Sequence, residues 1–209
     1  RIGSHMQLYF SQPPEVQTLA DDEAGRIVYR RALFHEGTAR QWFDFIRDNV
    51  EWRSEQRPMY DRIVDVPRLV ASFALDDPEL PEPIRRMREP VEDFCHVRFT
   101  SAGLNLYRDG NDSVAPHGDR LEPGPDKAPV ALVSLGATRR MTIRSRFKPR
   151  RVLDLDLDAG SLLVMSYESH FNYDHGIPKT RDHVGPRISI AFRQGRRTIP
   201  DPRYAPKQR

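Results

Sequence analysis

The chain has 209 residues, a length that suits one domain with room for an N-terminal extension. Hydrophobic residues make up 38% and charged residues 30%, and no apolar run is long enough to span a bilayer, which argues against a helical membrane protein. Cys95 is the only cysteine, so an intramolecular disulfide framework and a cysteine-rich zinc site are excluded; the net charge of +3 suits polyanionic partners without establishing one. Cys95 itself reads as a partly buried thiol rather than a nucleophile. No signal peptide is visible, and Arg1-Ile-Gly-Ser-His-Met6 reads as an expression-tag remnant, so His5 is left out of site reasoning. The expectation is a cytoplasmic protein with no membrane association and no evident protein partner, a monomer.

In chain order, residues 7–34 read as an irregular start, because Pro13-Pro14 opposes an early helix, with strand-like residues from Arg26 to Phe34. A helix is predicted over 38–49, with Thr38 as N-cap and Trp42, Phe43, Phe45 and Ile46 as its apolar stripe. Prolines break residues 50–75 into short extended pieces, and 76–83 is a loop. A second helix, about residues 82–95, carries Ile84, Met87, Val91 and Phe94 on one face. After residue 97 the period changes. Residues 104–107, 130–135, 140–144, 152–157, 161–165 and 187–192 read as strands punctuated by glycines, the pattern of a sandwich or jelly roll. Helices first and strands later give an α+β chain with one β core.

His117-Gly-Asp119 is a metal-ligand candidate. In an extended segment residues two apart share a face, so an imidazole and a carboxylate can grip one metal, with Gly118 leaving room for a ligand. A third ligand is sought in the segment after residue 165, which offers His170 and His175. His175, beside Gly176 and just before the turn at Pro178, is the better placed. Two histidines and one carboxylate form the facial triad of non-haem Fe(II) oxygenases, although a catalytic zinc can also use that set. Arg187 and Arg193 lie six apart in a strand and share a face, so both can enter one cavity and hold a small dicarboxylate. Alternatively they are rim arginines with solvated heads; beside a facial triad the first reading prevails.

With these segments in place, the chain from about residue 50 to residue 193 resembles the AlkB family of 2-oxoglutarate- and Fe(II)-dependent dioxygenases, which demethylate alkylated nucleobases oxidatively. The resemblance is carried by Val66-Pro-Arg68, Asn105-Leu-Tyr-Arg-Asp-Gly110, His117-Gly-Asp119, Ser134-Leu-Gly136, Gly160-Ser-Leu-Leu-Val-Met165, His175-Gly-Ile-Pro178 and Pro186-Arg-Ile-Ser-Ile-Ala-Phe-Arg193, in that order. It implies a double-stranded β-helix (jelly-roll) core with N-terminal helices packed on it and a substrate lid. Residues 7–96 would then form the extension, helices and lid, 97–195 the dioxygenase core and 196–209 a basic C-terminal tail, all one structural domain. It also implies Fe(2+) on His117, Asp119 and His175, with 2-oxoglutarate and O2 as cosubstrates. The carboxylates of 2-oxoglutarate would be held by Arg187 and Arg193, helped by Asn105, Tyr107 and Ser189.

The implied substrate is alkylated DNA or RNA, and a base flipped out of the stack needs apolar walls. Met59 and Tyr60, in the stretch matching the family's lid, are the candidates for base contact, with Trp52 behind them; Trp52 and Phe73 could equally be core. Arg120, where the family often has an acid, and His170, placed at the pocket mouth or on a surface loop, complete the substrate-side candidates. From Arg139 to Arg151 there are seven Lys/Arg and no acid, a candidate track for a nucleic-acid backbone or a solvated face. The rival functions are the same chemistry on tRNA, a protein or a small molecule, and a metal-containing nucleic-acid-binding module without catalysis.

Overall fold

Alternation at period two builds most of this protein. In the strand Arg187–Arg193, Ile188, Ile190 and Phe192 turn to one side, and Arg187, Ser189, Ala191 and Arg193 turn to the other. The first set joins a hydrophobic core under the helices, and the second faces the interior of a two-sheet sandwich.

The computed structural model describes residues 15–59, 62–119 and 127–195, with backbone alone for 57–59 and 62–65. The elements are β1 (Val16–Asp22), β2 (Gly25–Arg30), α1 (Glu36–Asn49), β3 (Arg53–Met59), β4 (Arg62–Ala74), α2 (Glu82–Cys95), β5 (Ser101–Tyr107), β6 (Val114–His117), β7 (Val130–Gly136), β8 (Arg139–Ser145), β9 (Val152–Leu157), β10 (Leu162–Met165), α3 (Ser169–Asn172), β11 (Tyr173–Ile177) and β12 (Arg187–Arg193). An eight-stranded sheet runs β1-β2-β10-β7-β12-β5-β4-β3, and a four-stranded sheet runs β6-β11-β8-β9, with antiparallel pairing throughout.

Two cores result. One packs Trp42, Phe43 and Ile46 of α1 and Ile84, Met87 and Val91 of α2 onto Leu104, Val133, Ile188, Ile190 and Phe192 of the large sheet. The other lies between the sheets, where Ile27, Tyr29, Leu163 and Met165 meet Met141, Ile143, Leu157, Tyr173 and Ile177. This is the expected jelly roll with helices on one face.

The structure changes several local expectations. The start of the chain is not irregular from residue 16: β1 and β2 form a hairpin, and β2 pairs with β10 at the heart of the large sheet. α1 begins at Glu36 with His35 as N-cap, its Nδ1 accepting from the Gly37 N–H at 3.2 Å, so Thr38 lies inside the helix. Phe45 is 43% exposed and off the apolar stripe. Residues 53–59 and 62–74 form two antiparallel partner strands rather than fragments. Pro67 is tolerated because regular β3–β4 pairing skips from Ser54↔Leu69 to Gln56↔Asp65, and β4 meets β5 only from Leu69 onward. No ladder N–H is therefore lost at Pro67, and its carbonyl accepts from the Ser113 N–H at 2.8 Å. Burial pushes the Cys95 thiol up to about 12, as expected of an inert thiol.

Glu92 ties α2 to the start of the core. Its buried carboxylate accepts from Arg88 Nε at 2.9 Å, Arg98 Nη1 at 2.7 Å and the Phe99 N–H at 2.9 Å. Burial alone would raise its pKa, but these three donors outweigh burial and hold it below the usual carboxylate range. Stability from such a group is present above the unfolded-state pKa and is lost as pH falls through the folded value. Glu92→Gln should lower the unfolding free energy by about 1–3 kcal/mol in urea titrations at neutral pH, with the difference shrinking on acidification. An unchanged midpoint would show that the three bonds contribute nothing net.

Candidate active site

The antiparallel pairing of β11 with β6 sets His175 directly across from His117, with ring centroids 4.6 Å apart. Asp119 follows two residues past His117, and ligand atoms of His117, Asp119 and His175 all lie within 4.8 Å of one another. His117 Nδ1 lies 2.9 Å from the Ala115 carbonyl oxygen. Only a protonated nitrogen can bond there, so Nδ1 carries the hydrogen and Nε2 keeps its lone pair for a metal. Asp119 Oδ2 is 3.8 Å from His175 Nε2, and Oδ1 accepts from Arg193 Nη2 at 3.0 Å.

The electrostatics suit a cation. Burial would raise the Asp119 pKa, but Arg193 and the imidazoles of His175, His170 and His117 outweigh it and hold the group at about 2. Burial pushes His175 down to about 4, so its imidazole is neutral at physiological pH, the form that ligates a metal. Two imidazoles and a carboxylate, without thiolate, fit Fe(II).

The second half of the site comes from β12 and its neighbours. Arg187 pairs with Tyr107 on β5 and Gly136 on β7, and Ser189 pairs with Asn105 and Ser134. Period-two alternation therefore aims Arg187, Ser189, Tyr107, Asn105 and Ser134 at one space. Arg187 is 1% exposed. Its Nη2 donates to Ser134 Oγ at 2.9 Å and its guanidinium lies 5.3 Å from the Tyr107 ring centre, while Nε and Nη1 are buried without a hydrogen-bond partner. Burial lowers its pKa to about 10, so it remains charged near neutrality. A buried cation with two unused donors calls for an anion, and a carboxylate matches a guanidinium fork. The 2-oxoglutarate carboxylates fit this need.

Arg193 reaches Asp119 because Gly103 leaves space beneath it: a Cβ at Gly103 would stand 2.9 Å from Arg193 Nη1. Gly103 was not expected to matter, and only the pairing of Gly103 with Ala191 reveals it. Ser134 and Arg68 are the other contributors whose roles were not foreseen, although both lie in motifs that carry the resemblance. Arg68 Nε donates to Asn105 Oδ1 at 2.7 Å and fixes that amide, whose Nδ2 points to Ser189 Oγ at 3.5 Å.

The substrate side differs more from expectation. His170 is neither at the pocket mouth nor on a surface loop; it is buried, with Nδ1 3.5 Å from Asp119 Oδ2. Gly118 leaves room not for a ligand but for the chain, since a Cβ there would strike the His170 carbonyl. Trp52 and Phe73 pack on the main core, with the Trp52 indole N–H donating to the Arg47 carbonyl. Met59 ends β3 by its backbone, while its side chain, Tyr60, Arg120 and the tail 196–209 lie outside the described residues. The basic stretch is not a free cationic track. Arg139 is buried and donates to the carbonyls of Asp109, Asp112 and Pro178, and Arg140, Arg146 and Arg151 pair with Asp156, Asp174 and Asp22. Among the described residues, Arg144, Lys148 and Arg150 are left without an ion-pair partner.

Fold and site together define an oxygenase of the iron- and 2-oxoglutarate-dependent class. Residues 74–193 match the 2OG-Fe(II) oxygenase superfamily. The chain is 31% identical over 182 residues to the human Alpha-ketoglutarate-dependent dioxygenase alkB homolog 3, covering 76% of this chain and 61% of that protein. It is 34% identical over 121 residues to the human DNA oxidative demethylase ALKBH2, covering 53% of this chain and 45% of that protein. The chain belongs to the 2OG-Fe(II) oxygenase superfamily, and the relatives it matches by sequence are AlkB homologues. It spans about three-fifths of the first relative and less than half of the second. In fold it is similar to the solved structure of OsALKBH1, with a TM-score of 0.60 at 15% identity over 80% of this chain and 97% of that one. It is similar too to a Pseudomonas putida prolyl-4-hydroxylase, with a TM-score of 0.53 at 15% identity over 81% of this chain and 92% of that one. Among the described residues no helix is long and apolar enough to cross a membrane.

The unused donors of Arg187 generate a test. Replacing a buried cation that has no ion-pair partner by an apolar side chain of similar volume removes its desolvation cost. Arg187→Met should therefore leave the Tm of the ligand-free protein unchanged or raise it, while abolishing the Tm increase that 2-oxoglutarate gives with a divalent metal. A large fall in ligand-free Tm would make the guanidinium a structural strut instead.

Proposed function

We propose that this chain is an Fe(II)- and 2-oxoglutarate-dependent dioxygenase that demethylates N-alkylated nucleobases, with DNA as the preferred substrate and RNA as the alternative. The observation that carries the reading is the apposition of a His-Asp-His cluster and a buried arginine with two unused donors inside one jelly roll. The choice of nucleic acid rests on the named activity of the ALKBH2 relative and on the match to alkB homolog 3.

In this reading His117, Asp119 and His175 hold the iron. Arg187 holds one carboxylate of 2-oxoglutarate, with Ser134 and Tyr107 fixing the guanidinium, and Arg193 serves the other end of the cosubstrate from beside Asp119. Asn105 and Ser189 line the wall between them. With Fe(II) bound, dioxygen would be the oxidant: one oxygen atom would enter succinate as 2-oxoglutarate loses CO2, and the other would turn an N-methyl group into an unstable N-hydroxymethyl group, which leaves as formaldehyde. The protein's residues position both partners and keep the cavity dry; none is required as a nucleophile. Met59, the last residue of β3, Tyr60, which follows it in sequence, and Arg120, which follows Asp119 in sequence, are proposed to meet the flipped base.

Formaldehyde release from methylated single-stranded DNA, compared with methylated RNA and a methylated peptide panel, tests the substrate class. Turnover on DNA above the others supports the proposal, and turnover on peptide alone overturns it. Asp119→Ala should abolish both turnover and the visible charge-transfer band of the anaerobic Fe(II)–2-oxoglutarate complex, because iron loses its only protein carboxylate. Undiminished turnover in that variant would refute the ligand assignment.

A further inference from the structure

Asp119 is surrounded more closely than a metal ligand requires. Its Oδ1 is engaged by Arg193, and its Oδ2 lies near both His175 Nε2 and His170 Nδ1. His170 is a fourth basic side chain at this carboxylate, and the ligand set does not use it. Both of its ring nitrogens are buried without a hydrogen-bond partner, and its side chain is fully shielded from solvent. Buried polar groups are almost always bonded, so an imidazole without a well-formed hydrogen bond beside a carboxylate marks an interaction waiting for its geometry to close.

The backbone around His170 holds it there. α3 is a single turn: the His170 N–H bonds the Tyr167 carbonyl at 3.3 Å, and Ser169 Oγ donates to the Ser166 carbonyl at 2.6 Å. On one side the His170 carbonyl sits against Gly118, where any Cβ would collide. On the next, the Phe171 carbonyl accepts from Arg146 Nη1, and Arg146 is itself bound to Asp174, next to His175. The turn is thus pinned to the chain at both ends of the ligand set, between Gly118 and Asp174.

We infer that His170 is a positioning residue for the metal: its Nδ1–H donates to Asp119 Oδ2 and sets the carboxylate's tilt toward the ion. This rests on the assignment of His117, Asp119 and His175 as ligands. A carboxylate oxygen has two lone pairs, so Oδ2 can serve the metal with one and His170 with the other. Arg193, the remaining partner of Asp119, would be shared with the cosubstrate, whereas the other polar group bearing on the His170 ring is the Met165 backbone carbonyl. Donors of this kind orient the ligand and typically contribute 10–100-fold in metal affinity.

The test is Mn(II) binding to the full chain, by calorimetry and by the loss of the free-ion EPR signal, in wild type, Asp119→Ala, His170→Leu and His170→Asn. His170→Leu removes the donor, and His170→Asn restores an N–H near the position of Nδ1. Mn(II) should bind His170→Leu about tenfold or more weakly, and His170→Asn within about threefold of wild type, with equal ligand-free Tm values. The Fe(II)–2-oxoglutarate charge-transfer band should shift in His170→Leu and return in His170→Asn. Mn(II) affinity and band position in His170→Leu matching wild type would overturn the inference. So would equal losses in both variants accompanied by a common fall in Tm, which would mark a packing role. Failure of the wild type to bind Mn(II), or binding by Asp119→Ala equal to wild type, would strike the ligand assignment beneath it instead.

Discussion

The antiparallel register that sets His175 opposite His117 is the constraint on which the site depends. Slipping β11 by one residue against β6 would turn His175 to the other face of the sheet and break up the His-Asp-His cluster. That register is held from the other side by β8, where Tyr173, Asp174, His175 and Gly176 meet Ser145, Arg144, Ile143 and Thr142 in unbroken pairing. The inward residues Ile143 and Tyr173 are buried in the inter-sheet core, so a slip would expose them. The hydrophobic contacts between the sheets therefore fix the position of a metal ligand whose own pairing, on a four-residue strand, could not.

The chain announced some of this and concealed the rest, for identifiable reasons. β12 was plain because Ile188, Ile190 and Phe192 alternate with residues of other kinds, and the same alternation put Arg187 and Arg193 on one face. The helices were plain because Trp42, Phe43 and Ile46, and Ile84, Met87 and Val91, recur at helical spacing. β6 and β11 carry no such signal. Val114-Ala-Pro-His117 holds a proline, and Tyr173-Asp-His-Gly-Ile177 holds a glycine and an aspartate, all poor strand formers chosen for the site and its close packing. Single motifs located the candidate ligands, and the sequence preferred His175 to His170 as the third; pairing across the sheet sets His175 opposite His117. His170, on a one-turn helix, has no sequence signal that separates it from a surface histidine.

The basic run from Arg139 to Arg151 shows how a one-dimensional charge pattern misleads. In the strand β8, Arg140 and Thr142 point outward beside Asp156 and Asp154 of β9, their cross-strand neighbours. The acids that answer it sit on other strands: Asp156 on β9, Asp174 on β11 and Asp22 on β1. What reads as a cationic stripe is one side of a paired surface, and Arg139, turned inward, is a strut holding loop carbonyls near the cosubstrate space.

The charges inside the cavity give the order of events a physical basis. Asp119 is ionised and His175 neutral near pH 7, and Arg187 and Arg193 are cationic, so these side chains together carry one more positive than negative charge. A divalent cation entering alone would add two positive charges to a space already positive and poorly solvated. A dianion entering alone would be attracted to Arg187, but its other end would compete with Asp119 for Arg193. Entering together, cation and dianion add no net charge, and Arg193 can lie between the metal's carboxylate and the cosubstrate's. Low dielectric amplifies both the penalty for the first case and the relief in the last. On the proposed assignment, metal and 2-oxoglutarate would be coupled through Asp119 and Arg193 rather than bound independently. That makes the geometry of the Asp119 carboxylate, gripped by Arg193 on one oxygen and neighboured by His170 on the other, the point where both halves of the site are tuned.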